Sequence, residues 1–433
     1  MRRPLGVFEL AATLTDEYAP FNAVGVLQMD GCPPREALGA ALAALQQRHP
    51  LLRARIDKRR RGYHFTCDVT SPLPLQCLPR ADAQAWRRQV EVELVTAFDT
   101  ARGPLLRVAC LAGEDVTQPA ELVLTLHHGI ADATSAVNLL HELTAAATAG
   151  VPAPGGTPLP LLPPAEQLFP APFNGAQGRL RKMAFMLHMG GAEFRYRWRT
   201  GRASRFTPAP RAQPHVLTID LPPATTTALV RRTRERRLTI NSALNAALLQ
   251  SAGRHLPRQA DKPLCYFVFP NLRPYLDPPV GREHLGSYAS MMRFMVEPPG
   301  KSSFWALTDR VAHQVDAASR RGEKFLFAMA SPSVIRMMSR MHRFRMGSVA
   351  LGYMGVPALE RQYGSVGVTG FHAFVSNFDM GPEYTAQVTL LHGRLTWDIV
   401  TIDSEVDAVT ATRMTESIRT ILEAAAHEGG PTP

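Results

Sequence analysis

The feature that most constrains the fold is an abrupt change of hydrophobic period between residues 121 and 143. Leucines recur at every second position from 122 to 126, which predicts a strand that ends near residue 127. Apolar residues then recur at helical spacing from 136 to 143, which predicts a helix. The segment between them reads His127-His128-Gly129-Ile130-Ala131-Asp132. It therefore lies in a strand-to-helix turn, where side chains project from a rigid frame.

The same two periods recur along the whole chain and predict a mixed α/β fold. Helical spacing is found at residues 34–49, 82–98, 223–236, 239–254, 303–321, 325–346 and 410–425. Strand-like runs are found at residues 51–57, 63–69, 105–112, 216–221, 264–270, 291–296, 371–377, 384–391 and 395–401. A Pro/Gly-rich stretch at 150–174 separates two such regions. We therefore divide the chain into a first half-domain (1–150), a linker with a basic amphipathic segment (151–214) and a second half-domain (215–433).

Composition narrows the classes of function. The chain has 433 residues, 45% of them hydrophobic and 20% charged, so it can bury a sizeable core. Its formal net charge of +11 indicates either a solvated basic surface or attraction to phosphate-bearing or acidic partners, but no zinc-finger or RNA-binding signature indicates nucleic acid. Five scattered cysteines indicate neither a disulfide framework nor a zinc site. We see no signal peptide and no long apolar run, and expect a cytoplasmic protein without a metal.

Each residue of the turn has a structural and a chemical interpretation. A histidine at a strand end is usually a packing residue, and Asp132 is well placed to cap the following helix. Two adjacent histidines point to opposite faces of a strand, which disfavours joint metal ligation. Histidine also titrates near neutral pH and therefore suits a general base that takes a proton from an attacking hydroxyl or amine. No Gly-x-Ser-x-Gly elbow indicates a nucleophilic serine.

Residues His127 to Asp132 resemble the HHxxxD motif of the chloramphenicol-acetyltransferase-like superfamily, which includes condensation domains, wax ester synthases and polyketide-associated acyltransferases. Four further segments resemble the superfamily in the same order along the chain: Leu42–Arg53, Phe98–Arg107, Asn271–Pro274 and Ser376–Gly381. The resemblance runs from about residue 20 to residue 425. It places the chain nearest the free-standing condensation-like and polyketide-associated enzymes.

This resemblance implies two similar α/β half-domains that form a V with a central tunnel, where donor and acceptor meet at His128. It implies that Asp132 pairs with Arg273 and holds the turn in shape without transferring protons. Asn377 or Ser376 is expected either to bind the oxyanion or to shape the tunnel. The chain departs from the family at Ala133, where glycine is common. The methyl group of Ala133 is expected to hinder a close approach of substrate to the motif.

The leading functional hypothesis is an acyltransferase that moves an acyl group from a coenzyme A or carrier-protein thioester to a hydroxyl or amine of a lipid or secondary metabolite. The thioester is a co-substrate, and no cofactor is expected. One alternative is a stand-alone condensation enzyme acting on carrier-bound partners, and another is a degenerate member that only binds. The basic amphipathic segment 179–205 suggests either peripheral membrane contact or a helix packed on the body of a monomer. The Met-rich stretch 329–346 is either core or the lining of an acyl tunnel.

Overall fold

The structure contains two six-stranded sheets. It is a computed structural model, and it describes residues 1–60, 62–113, 115, 117–149, 157–201, 213–256, 262–299, 302–341 and 344–428. The strands in chain order are β1 (Arg2–Pro4), β2 (Asn22–Met29), β3 (Ala54–Arg59), β4 (Gly62–Cys67), β5 (Leu75–Pro79), β6 (Leu106–Ala112), β7 (Ala120–His127), β8 (Pro214–Leu221), β9 (Leu264–Val268), β10 (Met292–Val296), β11 (Val349–Gly355), β12 (Gln362–Tyr363), β13 (Val366–Val375), β14 (Tyr384–Leu391) and β15 (Arg394–Ile402). The helices are α1 (Val7–Asp16), α2 (Arg35–Arg48), α3 (Ala85–Val95), α4 (Ala133–Thr148), α5 (Gly175–Thr200), α6 (Pro223–Glu235), α7 (Ile240–His255), α8 (Phe304–Arg320), α9 (Glu323–Met341) and α10 (Ala408–His427).

The first sheet has the strand order β12-β13-β2-β7-β6-β5 and carries the motif at the end of β7. Every residue of β7 is buried. Its leucines pack in one core with residues of α2 and α4, whereas Val123 packs on the other face with Trp86 of α3. Because helices cover both faces, even Glu121, Thr125 and His127 of β7 are buried, and the carboxyl end of the strand is held rigidly where it meets the turn.

The second sheet has the order β10-β9-β11-β14-β15-β8. Strands β14 and β15 form an antiparallel pair in which Val388 lies opposite Trp397, and both residues are fully buried. Residues of α7 and α10 complete this second core. The remaining strands form a small sheet, β1-β4-β3, beside the first lobe. The predicted fold class, a mixed α/β chain in two lobes, is confirmed.

One strand pair crosses between the lobes and modifies the predicted division of the chain. Strands β12 and β13 belong to the segment 215–433 by sequence, yet they form one edge of the first sheet. In this position β13 pairs antiparallel with β2, and Phe371 lies opposite Leu27. The backbone groups of β2, which is buried along almost its whole length, thereby gain ladder partners. The second half-domain is therefore not an independent unit, because part of it completes the first sheet.

Several predicted elements agree closely with the structure. The helix predicted at 34–49 is α2, the hairpin predicted at 51–69 is formed by β3 and β4, and the strand predicted at 384–391 is β14. Strand β2 was not predicted, because its run includes Asn22, Gly25 and Gln28 and does not alternate. The predicted linker (151–214) includes α5, whereas its residues 151–156 and 202–212 lie outside the described residues. Among the described residues, no helix is both long enough and apolar enough to cross a bilayer.

Candidate active site

The motif lies where β7 gives way to α4, as its periodicity predicted. Strand β7 ends at His127 and α4 begins at Ala133, with Asp132 as the N-cap residue. The backbone N–H of His128 donates to the carbonyl of Phe21 at 3.0 Å. The turn is therefore fastened to the chain just before β2, in addition to its own two elements.

His128 has a defined tautomer. Its Nδ1 lies 2.8 Å from the carbonyl oxygen of Ala131, and a carbonyl only accepts, so the hydrogen is assigned to Nδ1. This leaves Nε2 with its lone pair, and none of the described residues donates to it. The ring stacks on Phe21 with centroids 4.9 Å apart and is partly exposed to the cavity. Burial lowers the pKa of His128 below its ordinary value, against the opposing effect of the Ala131 carbonyl, so the ring is neutral at pH 7.

His127 packs beneath the turn and is fully buried. Its Nδ1 accepts a hydrogen bond from the backbone N–H of Gly129 at 3.1 Å, and its ring meets Phe98 edge to face. A Cβ atom at Gly129 would lie 2.8 Å from Nδ1 of the same ring. Glycine is therefore needed at this position because the His127 ring occupies the space of a side chain. The two histidines point to different environments, and only His128 lines the cavity.

The Asp132 carboxylate is buried and fully engaged. Its Oδ1 accepts from the backbone N–H of Ser135 at 2.9 Å and from Arg273 Nη2 at 3.1 Å. Its Oδ2 accepts from the backbone N–H of Tyr288 at 3.0 Å. Burial alone would raise the pKa of Asp132, but Arg273 and the two N–H donors outweigh it and hold the pKa below its usual range.

Arg273 connects the motif to the second lobe. It is 3% exposed, and its Nη1 donates to the carbonyls of Gly281 at 3.0 Å and His284 at 2.9 Å. Its guanidinium also lies 4.4 Å from the ring centroid of Tyr288. The structure thus brings Asp132 and Arg273 together as the resemblance implied. The pair joins α4 of the first lobe to the loop between β9 and β10.

Ser376 and Asn377 are the two candidates in the late loop, residues 376–381, and they differ in whether a hydrogen-bond donor is left free. The Ser376 hydroxyl donates to the carbonyl of Leu94 at 2.6 Å and accepts from the backbone N–H of Asn22 at 2.9 Å. Its only hydrogen is therefore committed, and Ser376 ties β13 to β2 and α3. Asn377 donates one amide hydrogen to the carbonyl of Pro382 at 3.0 Å and lines the cavity. Its second amide hydrogen has no acceptor among the described residues.

A cavity of about 430 Å³ lies between the lobes and contains His128 in its wall. Both lobes contribute, and aromatic, aliphatic and methionine side chains dominate the lining; they include Phe21, Phe267, Phe327, Phe371, Met291, Met346 and Ile335. This volume lies within the range of small-molecule sites. Both interpretations of the Met-rich stretch apply, because Ile335 and Met346 line the cavity whereas Met338 packs in a core with Phe378.

Ala133 is the first residue of α4 and also lines the cavity. Among the described residues other than glycine, only Arg237 and His392 have a positive φ, so the backbone at Ala133 is ordinary. The methyl group therefore causes no backbone strain. It narrows the cavity beside the motif.

Two contributors to this site were not found from the sequence. Phe21 stacks on His128, and the backbone of Gly286 accepts from both the Asp132 N–H and the Ser135 hydroxyl. An isolated phenylalanine or a backbone carbonyl has no sequence signature. The described residues contain no group of three or more His, Cys, Asp or Glu residues placed to hold a metal ion.

Comparison with known proteins identifies the fold family. Residues 210–396 match the family model described as the phthiocerol/phthiodiolone dimycocerosyl transferase C-terminus. The chain is similar in structure to polyketide synthase associated protein 5 from Mycobacterium tuberculosis, with a TM-score of 0.69, 18% identity and coverage of 97% of both chains. It is also similar to TRI3 trichothecene 15-O-acetyltransferase from Fusarium sporotrichioides, with a TM-score of 0.76, 12% identity and coverage of 98% of this chain and 95% of that one.

The condensation domain of the Monacolin K polyketide synthase MokA matches with a TM-score of 0.66 and 15% identity, over 99% of this chain and 98% of the domain. The chain has the fold of the chloramphenicol-acetyltransferase-like superfamily, and its residues 210–396 match an acyltransferase family of that fold. The predicted resemblance is thus confirmed, and the family model together with these neighbours supports an acyltransferase in the broad sense that includes condensation enzymes. Curated protein sequences gave no significant match.

Proposed function

We propose that the protein transfers an acyl group from a coenzyme A or carrier-protein thioester to a hydroxyl or amine of a lipid or secondary metabolite, with His128 as the general base. The observation that carries the proposal is the state of the His128 ring. The Ala131 carbonyl holds the hydrogen on Nδ1, and burial keeps the ring neutral, so Nε2 presents a lone pair to the cavity. A base with these properties accepts a proton at neutral pH.

The reaction follows from this arrangement. As the acceptor oxygen attacks the thioester carbonyl carbon, its proton moves to Nε2, and the Ala131 carbonyl stabilises the imidazolium through Nδ1–H. Collapse of the tetrahedral intermediate breaks the carbon–sulfur bond, and Nε2–H returns the proton to the thiolate. The products are an ester and a free thiol, or an amide where the acceptor is an amine.

Asp132 and Arg273 act in this proposal as positioning residues. Their ion pair fixes the start of α4 against the second lobe, which holds the turn that carries His128. For the oxyanion, Asn377 is the better candidate of the two predicted residues, because one of its amide hydrogens is uncommitted among the described residues. Ser376 has no hydrogen left to donate.

The character of the cavity supports apolar substrates. Its wall of phenylalanine, methionine and aliphatic side chains favours an acyl chain or an apolar acceptor body over a sugar. Arg282 is exposed at the cavity and forms no ion pair with any described residue, so it is suited to meet the phosphates of a thioester donor. The +11 charge of the chain also favours such a donor. The donor is a co-substrate, and the proposal includes no cofactor.

The experiment is a thiol-release assay with acyl-coenzyme A and acyl-carrier thioesters against a panel of alcohols and amines, with product masses recorded. We expect His128→Ala to lower the rate by about 10²–10⁴-fold. His313→Ala, a change of an exposed histidine on α8, is the matched control and should retain full rate. A His128→Ala enzyme with the wild-type rate would refute the assignment of the base.

The acceptor panel also separates ester from amide formation. Transfer only between two carrier-bound substrates would favour the condensation enzyme, whose fold is represented by the MokA domain. Thioester binding without thiol release for any acceptor would favour a binding role over catalysis.

A further inference from the structure

Helix α5 presents an apolar stripe to solvent. Five large side chains at helical spacing lie on one face of the helix and are 63–80% exposed: Leu180, Met183, Leu187, Phe194 and Trp198. Gly190 and Gly191 lie between them, and a Cβ at either position would have no atom within 4 Å, so none of the described residues covers the middle of the stripe. From Leu180 to Trp198 the stripe is about 27 Å long at the α-helical rise. Contiguous apolar surface of this size marks an interaction site.

The charges of the helix flank this stripe on both sides. At 100° per residue, Arg179 borders one edge of the stripe and Arg195 borders the other. Neither forms an ion pair with a described residue. The helix contains six Arg or Lys residues and a single acid, Glu193, which pairs with Arg197 and Arg293 behind the stripe. The outward surface therefore combines exposed apolar side chains with uncompensated positive charge.

The opposite face of α5 is the one that packs on the protein. Phe185 meets Phe327 of α9 edge to face with centroids 4.7 Å apart, and Tyr196 is 3% exposed beside Arg293. Phe327 also lines the cavity. The fold of α5 is thus accounted for without the outer stripe, and only one layer of side chains separates the packed face of α5 from the cavity.

We propose that the outer face of α5 docks the protein on an anionic lipid bilayer, with the helix lying in the plane of the interface. Leu, Phe and Trp side chains bury into the headgroup boundary while flanking arginines meet lipid phosphates. Charge complementarity selects this occupant over a second copy of the chain. Two α5 helices packed stripe to stripe would bring their basic flanks together with no facing carboxylate, which costs free energy.

This docking places the cavity wall next to the membrane. If the proposed acyl transfer uses a lipid acceptor, the acceptor has a short path from the bilayer past α9 to His128. Docking itself does not depend on that chemistry. His128→Ala should bind vesicles as the wild type does, so a failure of docking and a failure of catalysis are distinguishable.

The test is vesicle flotation of the full chain with phosphatidylcholine alone or mixed with phosphatidylglycerol. We expect the wild type to bind the mixed vesicles, with a blue shift of Trp198 emission. Arg179→Glu with Arg195→Glu should lower binding to the mixed vesicles by at least about tenfold. Leu187→Glu with Phe194→Glu should lower binding to a similar extent, about tenfold or more, because two anchors are lost.

Matched controls test whether these effects belong to α5. Val92→Glu changes an exposed valine on α3. Arg234→Glu changes an exposed arginine on α6 that forms no ion pair with a described residue, and both variants should leave binding unchanged. Absence of wild-type binding to anionic vesicles overturns the proposal. It is also overturned if Phe194→Glu converts a dimer into a monomer, or if an acidic carrier protein binds this face while vesicles do not.

Discussion

Replacing Arg273 with methionine should destabilise the protein far more than a change at the surface, because the Asp132 carboxylate would remain buried without its counter-charge. Both side chains are about 3% exposed, and their nearest N–O distance is 3.1 Å. Arg273 also donates to two backbone carbonyls of the loop after it. Removing one partner of a buried pair costs about 3–5 kcal/mol of unfolding free energy. We expect Arg273→Met to fall in that range.

The measurement is urea unfolding of wild type, Arg273→Met, Asp132→Asn and the double variant at pH 7. Because the two side chains share one network, the double variant should be less destabilised than the sum of the single variants, with a coupling of about 2 kcal/mol. The exposed pair of Arg88 and Asp82 is the matched control, since its N–O distance of 2.7 Å is similar. Its coupling should be far smaller than that of the buried pair, because water screens two exposed charges.

The pH dependence gives the same pair a second test. The pKa of Asp132 is lower in the folded protein than in the unfolded chain, so its stabilisation is full above the unfolded pKa. The stabilisation is lost as the pH falls through the folded pKa. The difference in stability between wild type and Asp132→Asn should therefore be largest near neutral pH and should shrink below about pH 4. Additive single effects, or a cost for Arg273→Met below about 1 kcal/mol, would refute the reasoning.

Three further predictions concern the motif and the late loop. Since burial lowers the pKa of His128 below 6.5, the transfer rate should rise with pH through a midpoint under 6.5 and stay level above it; a midpoint above 6.5 in the pH–rate profile would contradict this. Gly129→Ala should cost about 1–3 kcal/mol in urea unfolding, because its methyl meets the His127 ring, whereas Gly191→Ala in open space should stabilise by about 0.5–1 kcal/mol. Ser376→Ala should cost about 1–3 kcal/mol of unfolding free energy, because the hydrogen bond to the Leu94 carbonyl is lost, yet it should leave kcat of the folded enzyme nearly unchanged. A large loss of kcat would instead indicate that the Ser376 hydroxyl donates to the oxyanion.

Much of the site was predictable because its key residues are close in sequence. The strand, the turn and the helix that hold His128 follow from the change of hydrophobic period alone. The pairing of Asp132 with Arg273 does not follow from periodicity, because the two residues are 141 positions apart, and family resemblance suggested it. The distinction between Ser376 and Asn377 needed the structure. Both side chains carry donors, and only their hydrogen-bond partners show which donor is committed.

For the fold as well, local patterns predicted the elements but not the contacts between elements far apart in sequence. The run at β13 was predicted as a strand, but its pairing with β2 was not predicted. Alternation with a period of two residues shows which face of a strand is apolar, but it does not show which strand lies beside it. Strand β2 was missed for a related reason, since its burial depends on β13 and β7 on either side.

The sequence by itself determined the local elements around the motif, the chemical capacity of His128 and the amphipathic composition of α5. The local elements and the composition of α5 follow from hydrophobic spacing over a few residues. The capacity of His128 to act as a base follows from the intrinsic pKa of a histidine side chain. Tertiary structure decided which strands complete the first sheet, which cation neutralises Asp132 and which face of α5 is covered. An apolar pattern creates a face that favours burial, but only the packed chain shows that Phe185 is covered while Leu187 remains in solvent.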